Sequence, residues 1–112
     1  MLKKINRLSK DRDFSKVFKR ARSFHGENLT LKIVSNTGRP SRFGFVVSNK
    51  INKRATRRNA LKRRLRAIMI DQIKVLGNGF DAIVLVKRDY LYPYQTAIIK
   101  EELTKLLGLS SR

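Results

Sequence analysis

Residues 80–89 read FDAIVLVKRD, and the unbroken Ala82–Val86 run is the strongest limit on what this chain can fold into. Successive side chains of a strand point to opposite faces, so a strand half in water alternates apolar and polar residues. Five apolar residues without alternation suit a strand buried on both faces. The segments before it say how such a strand is reached. From Thr56 to Leu76 the apolar period is helical: Leu61, Leu65, Ile68, Met69, Ile73 and Leu76 fall within an arc of about 140° at 100° per residue. LGNG at 76–79 ends that helix, with Gly77 as a left-handed cap. Before it, RFGFVVS at 42–48 reads as a strand, with Phe43, Phe45 and Val47 on one face and Gly44 on the other. Strand, long helix, buried strand implies a crossover and a parallel pair.

The remaining segments complete the order. NLTLKIV at 28–34 alternates as a half-buried strand, SNTGRPS at 35–41 is turn chemistry, and Ser23–His25 carries a weak strand signal. Residues 8–21 place Phe14, Val17, Phe18 and Ala21 on one helical stripe, with Ser9 or Asp11 to cap its start. Pro93 opens a last helix carrying Ile99, Leu103, Leu106 and Leu107, and Gly108 closes it. The reading is an α+β fold: one small domain over residues 1–112, helix–strands–helix–strand–helix around one central mixed sheet.

Hydrophobic residues make up 41% of the 112, enough for one core. The formal net charge is +19. Self-repulsion of that size disfavours compactness, so it speaks of partners: nucleic acid first, an anionic membrane second. There is no Cys, hence no disulfide framework and no thiolate metal site, which suits a reducing cytosol. No apolar run approaches a membrane span, and the basic start MLKKINRLSKDRDF lacks the apolar core of a secretory signal. A cytoplasmic protein is expected.

The charge is concentrated. KRATRRNALKRRLR, residues 53–66, holds eight Lys or Arg in fourteen positions and no acid; another nine basic residues lie in 3–22. A solvated helix interleaves Glu with Lys, and like charges four apart, such as Lys62 and Arg66, are mildly destabilising. Arg outnumbers Lys in 54–66, which favours bidentate phosphate contact. Asn59, Lys62, Arg63 and Arg66 lie on the arc beside the apolar one, whereas Arg58 falls on the apolar arc itself. It must emerge beyond the sheet edge or find a partner. A lipid-binding helix would point bulky apolar groups outward; here that arc is committed to the sheet, so membrane binding ranks low. Phe14 and Phe18, four apart among Lys16, Lys19 and Arg20, are either core or a wall on which unpaired bases stack.

Side-chain catalysis has little to work with. His25 is alone, the eight acids are scattered, and GNG lacks the following Lys-Ser/Thr of a phosphate-binding loop. Asp11 and Asp13 suit a helix start, and Asp81 and Asp89 bracket a strand as turn markers. No catalytic residue and no metal ligand is assigned to the chain.

Three segments together resemble one family, the protein subunit of bacterial ribonuclease P. RDFSKVFKRARS is similar to its first-helix segment, RFGFVVSNKINKRATRRNALKRRLR to its strand and basic helix, and FDAIVLVKRD to the strand that follows. Their order and spacing agree across residues 7–107. The resemblance implies a left-handed strand–helix–strand crossover, against the general right-handed rule. It implies an accessory subunit of a ribonucleoprotein endoribonuclease that removes the 5′ leader of precursor tRNA, with the catalytic centre and its Mg²⁺ in the RNA. The implied partners are that catalytic RNA and precursor tRNA, with no membrane and no obligate protein partner. Catalytic-RNA binding carries over to Arg57, Arg58, Asn59, Lys62, Arg63 and Arg66. Leader binding carries over to Phe14, Phe18, Lys50, Lys53, Lys87 and Arg88.

The chain departs from the family pattern in three places. Arg58-Asn59-Ala60 stands where many members have Arg-Asn-Arg, leaving Arg57 or Arg63 to compensate. Asn49 replaces a frequent Lys, and Lys32 a frequent aromatic. The alternatives are a structural RNA binder, such as a ribosomal protein or RNA chaperone, and a duplex DNA binder.

Overall fold

In the computed structural model, which describes residues 3–77 and 79–110, Asn78 of the LGNG stretch lies outside the described residues. A short 3-10 turn at Lys4–Asn6 leads into helix α1 (Asp11–Arg20). Strands β1 (Arg22–His25), β2 (Leu29–Ser35) and β3 (Arg42–Val46) follow, then helix α2 (Ala55–Leu76), strand β4 (Phe80–Val86) and helix α3 (Thr96–Ser110). The sheet order is β1-β2-β4-β3. The Ala82–Val86 run thus occupies a central strand, with Val84 opposite Leu31 in the antiparallel β2 pairing and opposite Phe45 in the parallel β3 pairing. Strand β1 pairs antiparallel with β2, with Phe24 opposite Leu31. The sheet is mixed, and β3–α2–β4 is the expected parallel crossover.

Both faces of β4 are covered, by different elements. On one face Ala82 and Val84 join Leu29, Leu31 and Phe43 against Leu61, Leu65 and Met69 of α2 and Ile99, Leu103 and Leu107 of α3, all buried. On the other, Ile83 packs with Leu8 and with Val17 of α1. Phe14, Val34, Val46 and Leu85 lean on that smaller cluster. The amide of Leu8 donates to the carbonyl of Phe43 at 2.9 Å, so the N-terminal segment lies along the outer edge of β3.

Gly44 makes the α1 face possible. A Cβ there would stand 2.5 Å from Cζ of Phe14 and 3.3 Å from Cβ of Leu8. Phe14 therefore seats its ring tip directly on the backbone of β3, and α1 approaches the sheet at the one position with no side chain.

Several boundaries differ from the sequence reading. Lys10, not Ser9 or Asp11, occupies the N-cap of α1, without a side-chain capping bond; Asp11 and Asp13 both lie in the first turn. Pro93 does not start α3. The chain stays irregular to Gln95 because Tyr94 is drawn into the core and donates its hydroxyl to Asp89 at 2.9 Å. Gly108 does not end α3 either: the helix continues to Ser110, whose hydroxyl donates to the carbonyl of Leu107 at 2.7 Å. Gly77 has a positive φ of 76°, but its ψ of −157° is not left-handed helical. Its carbonyl accepts the Ser41 hydroxyl at 2.8 Å, which draws the backbone toward β3.

Overfilling a packed contact costs roughly 1–3 kcal/mol. Gly44→Ala is expected to lose about that much, and much less when Phe14→Ala is already present. Urea denaturation of the two single variants and the double variant measures the coupling. Equal losses in both backgrounds would refute the contact.

Candidate nucleic-acid interface

Core packing fixes which side of α2 meets solvent. With Leu61, Leu65, Ile68 and Met69 buried, Asn59, Arg63 and Arg66 are exposed and Lys62 is half-buried. These four side chains make no hydrogen bond or ion pair among the described residues. They form a cationic array on a helix that cannot roll, free to meet phosphate oxygens. Three other basic residues of the segment are already engaged. Arg58, the member that falls on the apolar arc, folds back and donates from Nη1 to the carbonyls of Asn52 and Lys53, both at 2.9 Å. The guanidinium of Arg57 lies 4.1 Å from the ring centre of Tyr92. Arg64 donates to the Thr96 hydroxyl at 2.8 Å and ties α2 to the start of α3. Ala60 is half-buried against the core and lines a shallow groove with Arg63, Arg64 and Thr96. Ala60, where the resemblance implies a third Arg, therefore turns toward α3, flanked by two arginines.

The loop leading into α2 is anchored by one carboxylate. Asp89 accepts from Asn52 Nδ2 at 2.8 Å and from the Tyr94 hydroxyl at 2.9 Å. Burial, and then the Asp89 carboxylate, push the Tyr94 hydroxyl up to about 12. Lys50 and Lys53 are exposed on this loop, and Lys87 and Arg88 are exposed just past β4. Because β3 and β4 are parallel, with Val46 opposite Leu85, all four cations follow strands that end at the same end of the sheet.

The two phenylalanines of α1 part company. Phe14 is half-buried on Gly44, whereas Phe18 is 45% exposed. Lys32 of β2 places its ammonium 5.9 Å from the Phe18 ring centre and donates to the Ser23 hydroxyl at 2.8 Å. Phe18 and Lys32 thus border a surface on the α1 side of the sheet that is both aromatic and cationic, as single-strand binders require. Lys32, where the resemblance implies an aromatic, contributes charge there instead of a ring.

The family model described as Ribonuclease P matches residues 2–109. The chain belongs to this family. It is 42% identical over 88 residues to the ribonuclease P protein component of Pseudanabaena, covering 77% of this chain and 75% of that one. It is 35% identical over 106 residues to that of Thermotoga maritima, covering 95% and 90%. The solved Thermotoga maritima ribonuclease P protein superposes with a TM-score of 0.80 at 34% identity, over 90% of this chain and 94% of that one. The Staphylococcus aureus ribonuclease P protein gives 0.77 at 25% identity, over 96% of each. RNA binding in tRNA 5′-end processing is the role of a ribonuclease P protein, and the ribosomal-protein and RNA-chaperone reading falls away.

Within this ribonuclease P fold, one feature escaped the sequence reading. Asp81 is no turn marker; it is a buried residue of β4. Arg42 reaches it from Nη2 at 2.7 Å and from Nε at 3.0 Å, and reaches Asp13 of α1 from Nη1 at 3.2 Å. Asn36 adds a bond to the same carboxylate at 3.0 Å. Burial pushes the Asp81 carboxyl up, but the bonds from Arg42 and Asn36 outweigh it and hold the group below the usual carboxylate range. Beside this bridge an open cleft of about 780 Å³ is lined by Lys4, Lys10, Arg12, Lys16, Arg20 and Arg39. The density of charge in residues 3–22 was visible in the sequence; that Arg39 of the β2–β3 turn joins it was not. Among the described residues, no three of His, Asp or Glu come together to hold a metal, and no helix is long and apolar enough to cross a membrane.

A carboxyl whose folded value is depressed stabilises the fold above its unfolded value, about 4, and loses that contribution as pH falls through the folded value. Asp81→Asn is therefore expected to be less stable than the parent at pH 7, by a margin that narrows as pH falls below about 4. Urea midpoints at pH 7, 5 and 3 check this. A margin independent of pH would mean that the Asp81 charge contributes nothing.

Proposed function

We propose that residues 1–112 act as one RNA-binding domain, the accessory subunit of a cytoplasmic ribonuclease P. Asn59, Lys62, Arg63 and Arg66 of α2 grip the catalytic RNA, with Arg57 and Arg58 at the margin of the contact. The surface bordered by Phe18 and Lys32, with Phe14 at its base, takes the unpaired 5′ leader of precursor tRNA. Lys50, Lys53, Lys87 and Arg88 supply phosphate contacts along its path. The observation that carries the reading is the acid-free array on α2, rigid because its other side is core. Such an array costs stability unless a polyanion sits on it, and phosphates positioned by Arg and Lys satisfy it without reading sequence.

The reaction is hydrolysis of one phosphodiester, releasing the leader and leaving the mature 5′ end. The acids that pack against other elements are already spent inside the fold: Asp13 and Asp81 on Arg42, Asp89 on Asn52 and Tyr94, Glu102 on the amides of Asn28 and Leu29. The donor set does not fit a protein-held ion, so in this proposal Mg²⁺ is held by the RNA, and no step passes through a metal on this chain. The chain contributes positive charge and the alignment of leader and catalytic RNA.

Mixed with the catalytic RNA of its source, the protein is expected to raise precursor cleavage at low magnesium; unchanged cleavage would sink the proposal. Arg63→Ala is expected to weaken binding to the catalytic RNA and lower the salt slope by about 0.7–0.9 for each phosphate no longer neutralised. An unchanged slope removes Arg63 from the interface. Phe18→Ala is expected to weaken the precursor more than mature tRNA, by roughly 1–3 kcal/mol for the missing base stack. Equal losses for both substrates would assign Phe18 a purely structural part.

A further inference from the structure

The loop between β4 and α3, with the first turn of α3, leaves three large apolar side chains in water: Leu91 is 92% exposed, Tyr92 54% and Ile98 55%. Leu91, Tyr92, Pro93 and Ile98 line a groove of about 450 Å³ together with Asn28 and, as its one charged residue, Asp89. This falls in the size range of small-molecule pockets. Apolar surface gathered in one place marks an interaction site more often than scattered exposure does. None of these residues belongs to the proposed α2 array or to the α1 surface.

Tyr92 is held, although it is half exposed. The Arg57 guanidinium sits 4.1 Å from its ring centre, and the Tyr94 ring meets it edge-on at 5.4 Å and 88°. Tyr94 is itself buried and tied through Asp89 to Asn52 in the loop leading into α2. A ring fixed this way loses little freedom when something stacks on it, unlike an aromatic on a mobile loop.

Cations stand near the groove, although none lines it. Arg57 borders it at Tyr92. The amides of Lys87 and Arg88 donate to the carbonyl of Asn28, which itself lines the groove, and both side chains are exposed. The ion pair of Arg88 with Glu27, at 3.9 Å and mostly in water, offsets little of that charge. Apolar side chains beside cations fit a planar base tethered to phosphates, and Asp89, the acid of the lining, is already bound by Asn52 and Tyr94. A second copy of this chain, also carrying +19, would be repelled.

We propose that Tyr92 is a stacking platform for one unpaired nucleobase, in a pocket that joins the α2 array to Lys87 and Arg88. It rests on the RNA-binding reading and adds a base contact outside the α1 surface. The base comes either from the leader or from an unpaired position of the catalytic RNA.

The chain has no Trp, so Tyr92→Trp in the intact chain gives a single stacking reporter. Its emission is expected to be quenched at saturation by the catalytic RNA, if that supplies the base, or only when precursor tRNA joins the assembled holoenzyme, if the leader does. Inorganic polyphosphate, which carries the charge without bases, should leave the emission unchanged. Tyr92→Ala should weaken the same RNA by roughly 5–150-fold, the equivalent of one base stack, with its salt slope unchanged, and Tyr92→Phe should restore affinity. Leu91→Ser, at a residue almost wholly in water, should weaken it less. Unchanged emission with both RNAs, while Arg63→Ala still weakens the catalytic RNA, would overturn this platform and leave the RNA-binding reading intact. Loss of the Arg63 effect as well would overturn both.

Discussion

Burial of β4 on both faces is the constraint from which the other arrangements follow. Ala82 and Val84 need cover on one side and Ile83 on the other, and a single helix covers one side only. The pair α2 and α3 supplies the first layer and α1 the second. Because β4 lies between β2 and β3, its backbone is paired along both edges, which an apolar strand needs when no water reaches it. The parallel pairing with β3 then forces a long return path, and α2 is that path.

This placement makes the charge of α2 useful. A basic helix in solution would spread its cations around a rotating axis and fray under their repulsion. Here Leu61, Leu65, Ile68 and Met69 bind one side of the helix to the sheet, so the opposite side is presented in one orientation. Two other cations of the helix are spent locally, Arg58 on two backbone carbonyls and the exposed Arg64 on Thr96. What remains exposed is a short array with no acid nearby, a standing electrostatic cost that RNA phosphate removes.

Acids are few, and the buried or half-buried ones sit where elements meet. Asp81 and Asp13 join β4 and α1 through Arg42. Asp89 joins the loop before α2 to the loop before α3. Glu102 of α3 accepts the amides of Asn28 and Leu29 with one oxygen and the Tyr90 hydroxyl with the other. In a chain of +19, a carboxylate at such a joint is attracted by the whole molecule as well as by its partners. The buried and half-buried negative charge therefore works as internal fastening, and the four exposed acids, Asp11, Glu27, Asp71 and Glu101, are far outnumbered by cations.

The apolar periods alone determined that β4 is buried on both faces, that α2 packs by the Leu61–Leu76 arc, that β3, α2 and β4 form a crossover with a parallel pair, and that Asn59, Lys62, Arg63 and Arg66 share a face; that β4 lies between β2 and β3 came only with the tertiary structure. Periodicity can do this because burial of a regular element is repeated every few residues along the chain. The same pattern could not place Phe14 on Gly44, far along the chain, nor divide Phe14 from Phe18, since both fit one helical stripe. Nor could it find Arg42 between Asp13 and Asp81, the Tyr94–Asp89 bond that delays α3, or Arg57 over Tyr92. Most of these join side chains far apart in sequence, and all depend on how neighbouring elements meet. They exist only after the elements have docked, because docking sets the distances on which they depend.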